Sequence, residues 1–478
     1  MAPPVGTTGS ELSFARWLFA FGLVTSLFFT WGFAYGLLDV LNAHFQTVFG
    51  ISKLQSTLLQ LAYFGAYFVW SPFAGIIMRH IGYKKGIHMG LSLYSLGAIF
   101  FWPSAKFEKY GGFVGCTFVI GCGLSTLEVA ANSYITVLGT PRYAAMRLNF
   151  SQGFQGLASF AGPMIASTYF FRGKNANSLT NVQWVYLAVA ALGLALNILF
   201  YFCDLPEITE DALEKEIEDA GIAKNGVGPF WKQYRCILGF VAQMSYTGAQ
   251  VTVASFVVNY LVDQGVGISH SKASLMFSFC QLTFTGGRFI GVVLLTWVDP
   301  ALLLSLYGIA CSAFCLGVAL AGGHAGIACL YCLFFFESIC YPCVFTLGTK
   351  NLGMHTKRGS GLIVMGVGGG AWYPPAQGAL ADKTFTRHSY LVPFSGYVAM
   401  SIYAIGLVIN QSIKDGFHFR NIDELAQTRI AIASAFVADG APPPAVEQAI
   451  WDEKKNGSSR DVSEPDKETP SVVYRKVV

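Results

Sequence analysis

Three carboxylates lie inside long apolar runs: Asp39 in WGFAYGLLDV, Glu128 in LSTLEVAANSY and Glu337 in FFFESICYP. A charged group facing hydrocarbon costs about 2.5–3.5 kcal/mol or more, so each must face a cavity or a polar partner. Burial disfavours the charged form of a carboxyl, which lets a group held this way take up and release a proton. The competing reading is a neutral carboxyl hydrogen-bonded between helices. The same runs carry the amides of Asn132, Gln152, Gln155, Gln243, Gln250, Asn259 and Gln281, each costly to leave unpaired in lipid. Gln152 and Gln155 are about one turn apart and share a helix face. Amides and carboxyls suit hydroxyl groups, and an aromatic face suits the apolar side of a sugar ring. Trp31, Tyr63, Tyr246, Tyr341 and Trp372 are candidate platforms, with packing or an interfacial belt as the alternative for any one of them.

The elements that must position these groups are membrane spans. The hydrophobic set makes up 53% of the 478 residues and charged residues only 12%, about half the usual share for a soluble domain. Forty Phe and 52 Gly fit helices packed closely in a bilayer. The net charge of +4 gives no case for nucleic acid. Apolar runs of about 20 residues or more cover 15–41, 54–79, 86–104, 112–139, 147–171, 183–203, 232–262, 273–297, 300–321, 325–350, 359–381 and 389–413. The expected fold is therefore all-α: twelve transmembrane helices in two six-helix bundles, residues 15–203 and 232–413. Residues 1–14 form an N-terminal tail, 204–231 an acidic linker, and 414–478 a largely disordered tail with an amphipathic stretch at 422–436. The N-terminal flank lacks the basic region and cleavage site of a signal peptide. Arg79, Lys84, Lys85, Arg142, Arg147, Lys357 and Arg358 fall on one side. That side is read as cytoplasmic, with both termini there and the sequon at Asn456 out of reach of glycosylation.

The halves resemble each other. ITVLGT at 135–140 aligns with VFTLGT at 344–349, which sets Glu128 opposite Glu337. Each stretch leads through a basic residue, Arg147 or Arg358, to a Gly-rich span ending near Pro. Parallel repeats about an axis along the membrane normal place a binding site between halves near the midplane. The basic turn holding Arg79 and Lys84, with Arg288 of GGRFIG as its counterpart, is a candidate gate in which cations meet helix C-termini; ordinary positive-inside anchoring is the alternative. The eleven Cys, including CxxC at 329–332 and 340–343, read as small apolar residues of packed helices. No P-loop, nucleophile elbow or His/Glu metal spacing occurs, so no enzyme, cofactor or metal is expected, and energy must come from an ion gradient or the solute.

These residues resemble the fucose–galactose–glucose–proton symporter family of the major facilitator superfamily. The resemblance runs from Trp31 to about Asp382 and rests on WGFA with its downstream Asp, LEVAANSYITVLG, RLNFSQGF, YTGAQ, GGRFIG, AGGHAGI and YPCVFTLGTKNLGMHTKRGSGLIVMGVGGG. It implies a proton-coupled monosaccharide symporter of the plasma membrane, monomeric, working by alternating access. Asp39 and Glu128 match the family's functional carboxylates, and Gln152 its cavity amide. Together with the residue reading above, the candidate substrate-binding set is Glu128, Gln152, Gln155, Asn132, Gln250, Trp31, Tyr63 and Tyr341, with Asp39, Glu128 and Glu337 as candidate proton carriers. Gln155 stands where the family has Asn, Gly36 replaces an Asn, and Glu337 replaces an uncharged residue, so the identity of the sugar stays open. A uniporter or antiporter on the same fold, and a nutrient sensor signalling through the tail, are the rival readings. The linker and tail suggest a eukaryotic member.

Overall fold

The computed structural model describes residues 12–49, 58–170, 180–213 and 228–421, and leaves out the side chains of 34–48, 161–170, 180–182, 270–271 and 415. Linker residues 214–227 and everything from 422 on, including the amphipathic stretch expected at 422–436 and the sequon, lie outside the described residues.

The apolar runs fold as helices because only a helix satisfies its own backbone in hydrocarbon. In chain order they are α1 (Phe14–Phe49), α2 (Leu58–Lys106), α3 (Tyr110–Val137), α4 (Ala144–Phe170), α5 (Thr180–Phe202), α6 (Tyr234–Val262), α7 (His270–Trp297), α8 (Pro300–Leu320), α9 (Gly323–Phe336), α10 (Cys340–Thr349), α11 (Thr356–Met365), α12 (Tyr373–Lys383) and α13 (Leu391–Asp415). Eight helical stretches among the described residues are long and apolar enough to cross a membrane. One of them, α2, has 49 residues and carries two spans joined at Gly82. Its φ of 84° and ψ of 175° suit only glycine, so the basic turn between spans two and three is a sharp corner. The α4, α6 and α11–α12 runs complete the twelve. In α6 the polar side chains that lower its hydropathy, Gln243, Thr247 and Gln250, lie on the inner side of the bundle.

Two expected spans are interrupted. Span ten breaks after Phe336, and residues 337–339 form a turn before α10 begins at Cys340. Span eleven passes from α11 through a 3₁₀ segment, Gly366–Ala371, to α12, which opens on Tyr373-Pro-Pro. The start of α8 is capped: the Asp299 carboxylate accepts from the N–H groups of Ala301 and Leu302, with Pro300 at the first helical position.

The outward faces are apolar. On α5, Trp184, Leu194, Ile198 and Phe202 are exposed, a surface that belongs in lipid rather than water. The inner faces pack the two bundles along seams. Along one, Asn149 of α4 donates to the Arg288 carbonyl of α7 at 2.6 Å. Along the other, Gly75 of α2 and Gly361 of α11 lie back to back. A Cβ on Gly75 would come within 2.7 Å of the Lys357 carbonyl oxygen, and one on Gly361 within 2.7 Å of the Ser71 carbonyl oxygen. Small residues there let the backbones close up.

Candidate functional site

α3 holds Glu128 and Asn132 one turn apart, both buried. Across the seam, Tyr341 of α10 donates its hydroxyl to Glu128 Oε1, and Asn132 Nδ2 reaches the Tyr341 oxygen at 3.3 Å and Glu128 Oε1 at 3.4 Å. Asn132 and Tyr341 are 209 residues apart, the same offset that aligns the two repeats. Positions related by a two-fold that touch one another lie on its axis, so this contact marks the pseudo-axis of the molecule.

Beside it lies a cavity lined by α1, α2 and α4 on one side and α6, α7, α9 and α10 on the other. The first half supplies Trp31, Tyr63, Gln152, Gln155 and Ser159; the second supplies Thr247, Gln250, Gln281, Arg288, Glu337 and Tyr341. Trp31 Nε1 donates to the Tyr63 hydroxyl at 3.1 Å, which stands the indole against the phenol. Arg288 donates from Nη1 to Gln152 Oε1 at 2.8 Å and stacks its guanidinium on Phe284 at 4.7 Å. Glu337 is buried, its Oε2 accepting from the Tyr397 hydroxyl at 2.6 Å and its carbonyl from the Tyr246 hydroxyl at 2.7 Å.

Several polar atoms in the cavity wall or in the Glu128–Asn132 pair beside it have no hydrogen-bond partner among the described residues. They are the acceptors Glu128 Oε2, Asn132 Oδ1 and Gln155 Oε1, and the donors Gln152 Nε2 and Arg288 Nε. Burying such atoms unpaired costs about 1–3 kcal/mol each. A mixture of donors and acceptors matches a ligand whose groups do both, which hydroxyls do. The cavity encloses about 120 Å³. Such a space holds several waters, and so the hydroxyl groups of a small polar ligand.

The structure thus brings together Glu128, Asn132, Gln152, Gln155, Gln250, Trp31, Tyr63, Tyr341 and Glu337. The Asp39 side chain lies outside the described residues. Four expected positions are corrected. Arg288 is not at a loop end but in the cavity wall, because GGRFIG lies within α7, well before its end at Trp297. Asn259 and Trp372 are exposed and do not line the cavity, and Gln243 bonds Thr247 within its own helix at 3.1 Å.

The basic loops meet a latch that sequence reasoning missed. Glu207 and Glu210, just past α5, bind both halves. Glu207 Oε1 accepts from the Tyr83 N–H at 2.8 Å, capping the helix that restarts after Gly82, and pairs with Lys357 Nζ at 3.6 Å. Glu210 accepts from the Lys357 N–H at 3.0 Å and pairs with Arg79 at 3.4 Å. Lys357 also sits over the Tyr83 ring at 4.4 Å. Burial holds the Glu210 carboxyl above its ordinary range, against the opposing pull of the Lys357 N–H and the Lys357 and Arg79 charges. Lys84 stays within the first half, donating to the Cys203 carbonyl at 2.7 Å past the end of α5. Only the run of acids in PEITED hinted at this, and its path across the seam is not readable from composition. At the same end, Asn421 Nδ2 donates to the Arg142 carbonyl at 2.7 Å and the Leu295 carbonyl at 3.1 Å, clasping the two halves together. All eleven cysteines are free thiols, and no metal-binding cluster occurs among the described residues.

Residues 23–374 match the family model described as Major Facilitator Superfamily. The chain is 32% identical over 392 residues to a glucose/galactose transporter of Brucella abortus, covering 81% of this chain and 93% of that one. It is 33% identical over 408 residues to the L-fucose-proton symporter of Escherichia coli, with the same coverage. Among solved structures it is similar to the transporter FucP in the outward conformation, with a TM-score of 0.71 at 30% identity over 82% of this chain and 99% of that one. A proton:xylose symporter, XylE, at 12% identity and a TM-score of 0.67, shares the fold. Twelve spans in two pseudo-symmetric bundles around a polar central cavity accord with these matches, and the chain belongs to the Major Facilitator Superfamily as a multi-pass membrane transporter rather than an enzyme.

Proposed function

We propose that this transporter is a proton-coupled monosaccharide symporter of the plasma membrane, monomeric, with the Arg79–Lys357 latch and both termini facing the cytoplasm. The observation that carries the reading is the set of unpaired buried donors and acceptors that the two halves bring to one central cavity. The activities of the relatives, L-fucose–proton symport and glucose/galactose transport, support it.

Asp39 and Glu128 carry the proton. With Glu128 protonated, its carboxyl costs little to enclose, and Oε2 offers a hydroxyl partner to the sugar. Gln152 Nε2 and Gln155 Oε1 take two further hydroxyls, and the Trp31–Tyr63 pair faces the apolar side of the ring. Rocking of the bundles parts Tyr341 from Glu128, alters the carboxyl's environment and releases the proton on the far side. One charge moving through 100 mV supplies about 2.3 kcal/mol, enough for roughly 50-fold accumulation. Linker 204–231 and the tail from 414 belong to the cytoplasmic side in this scheme, with Arg79 of the latch as a gating residue and Lys84 anchoring its helix corner.

The test is radiolabelled uptake of L-fucose, D-galactose and D-glucose in cells lacking endogenous hexose carriers, with and without a protonophore. Protonophore-sensitive accumulation of one sugar above equilibrium is the expected result. Uptake that only equilibrates would reduce the protein to a facilitator, and no uptake of any sugar would remove the substrate class.

A further inference from the structure

Glu337 has a role to find. It sits where span ten breaks, its carboxyl lines the central cavity, and it stands opposite Glu128 in the repeat. Discontinuous helices bring such groups to binding sites at the midplane. Its surroundings argue against a structural carboxyl. Tyr397 occupies one oxygen with a single hydroxyl bond at 2.6 Å, while an ionised carboxylate accepts up to about four. Arg288, the cation in the same wall, gives Nη1 to Gln152 and its face to Phe284. No ion pair joins Arg288 and Glu337 among the described residues. The backbone is fixed independently, because the Tyr246 hydroxyl bonds the Glu337 carbonyl at 2.7 Å. An acceptor held rigidly by two tyrosines of its own half, with capacity unspent and a cavity in front of it, is built to receive a donor.

We propose that Glu337 is the sugar-binding residue of the second half, accepting one ring hydroxyl and thereby selecting which hydroxyl configuration is carried. This rests on the monosaccharide reading above. Bound sugar is then held by carboxyls from both halves, Glu128 and Glu337, so that occupancy itself ties the bundles together. A site built to pair a hydroxyl rejects the analogue lacking it, because its buried acceptor is left unpaired.

The experiment is counterflow exchange in proteoliposomes, which needs no net proton movement. The probes are L-fucose, D-galactose and D-glucose and, for the sugar exchanged, its singly deoxygenated analogues. In Glu337→Gln the KM of the parent sugar is expected to rise at least tenfold. The KM of one analogue, the one lacking the paired hydroxyl, stays at its wild-type value. Maximal exchange and its pH profile stay as in the wild type. Tyr397→Phe, which keeps the carboxyl and frees its anchor, is expected to shift selectivity for the same hydroxyl by about threefold. It also carries the test if Glu337→Gln does not purify as a monodisperse species. A KM unchanged in both variants, or raised equally for every analogue, overturns the proposal. So does a displaced pH profile with KM intact, which would make Glu337 a proton carrier. Wild-type protein that exchanges none of the three sugars fails the monosaccharide reading itself, and this assignment with it.

Discussion

Glu128 and Glu337 hold matching positions in the two halves, yet their partners come from different places. Glu128 lies in an unbroken helix and is bonded across the seam by Tyr341, a residue of the other half. Glu337 lies at a helix break and is bonded by Tyr397 and, through its carbonyl, by Tyr246, both of its own half. A carboxyl whose partner belongs to the opposite bundle must change surroundings when the bundles rock; one held within its bundle keeps them. Duplication placed a polar group at one register twice, and divergence made one copy sensitive to conformation and the other a fixed fixture.

The arginines that follow differ in another way, each within its own half. Arg147 is buried and spends its donors on the carbonyls of Ile135, Thr136 and Thr140 at 3.1, 2.9 and 2.9 Å, closing the end of α3. Arg358 instead lies over the rings of Phe230 and Trp231 at 4.2 and 5.4 Å. The largest expected effect tests this pair. Arg147→Ala should cost about 3 kcal/mol by leaving three carbonyls unpaired, against about 1 kcal/mol for Arg358→Ala. Thermal unfolding in detergent reads both, and equal losses would erase the contrast.

Next in size is the carboxyl pair itself. Glu128→Gln should abolish concentrative uptake, from roughly 50-fold to equilibrium, while exchange persists; Glu337→Gln should retain accumulation. The reverse pattern in cells with an intact proton gradient would invert the comparison. At the seam, Gly361→Val overpacks the contact with α2 at about 1–3 kcal/mol, shifting the population about fivefold or more away from closure at the latch. Maleimide labelling of a cysteine placed at Met354, which borders that end, should quicken accordingly; an unchanged rate would remove the seam from the gating scheme. The smallest effect is pH-dependent. The Glu210 carboxyl titrates above its ordinary range when the latch is closed, so the closed form binds its proton more tightly. Closure is favoured below the ordinary carboxylate pKa and weakens as pH rises through the raised value. Labelling at position 354 should therefore quicken by a few-fold across that window, and Glu210→Gln should flatten the dependence.

The spans were legible because length and apolarity decide them, and the repeat was legible because ITVLGT and VFTLGT kept their register. Facing was less so. A helix apolar all round carries no contrast between its lipid and protein sides, so Trp372 and Asn259 could not be told from cavity groups, nor Arg288 from a loop cation. The break at 337–339 left no glycine or proline at the break itself, since Pro342 follows inside α10. The Glu207–Glu210 latch depends on the path of a connection across another half, which composition does not encode.

The clasp at Asn421 has a practical consequence. Its side-chain amide hangs from carbonyls of both bundles, so any parting of the latch end must surrender one attachment. The neighbouring Arg420 is exposed and pairs its backbone with Val298. A fluorophore on a cysteine at position 420 would sit on the joint between the moving bodies, turning the chain's own stitch into an optical strain gauge for the transport cycle.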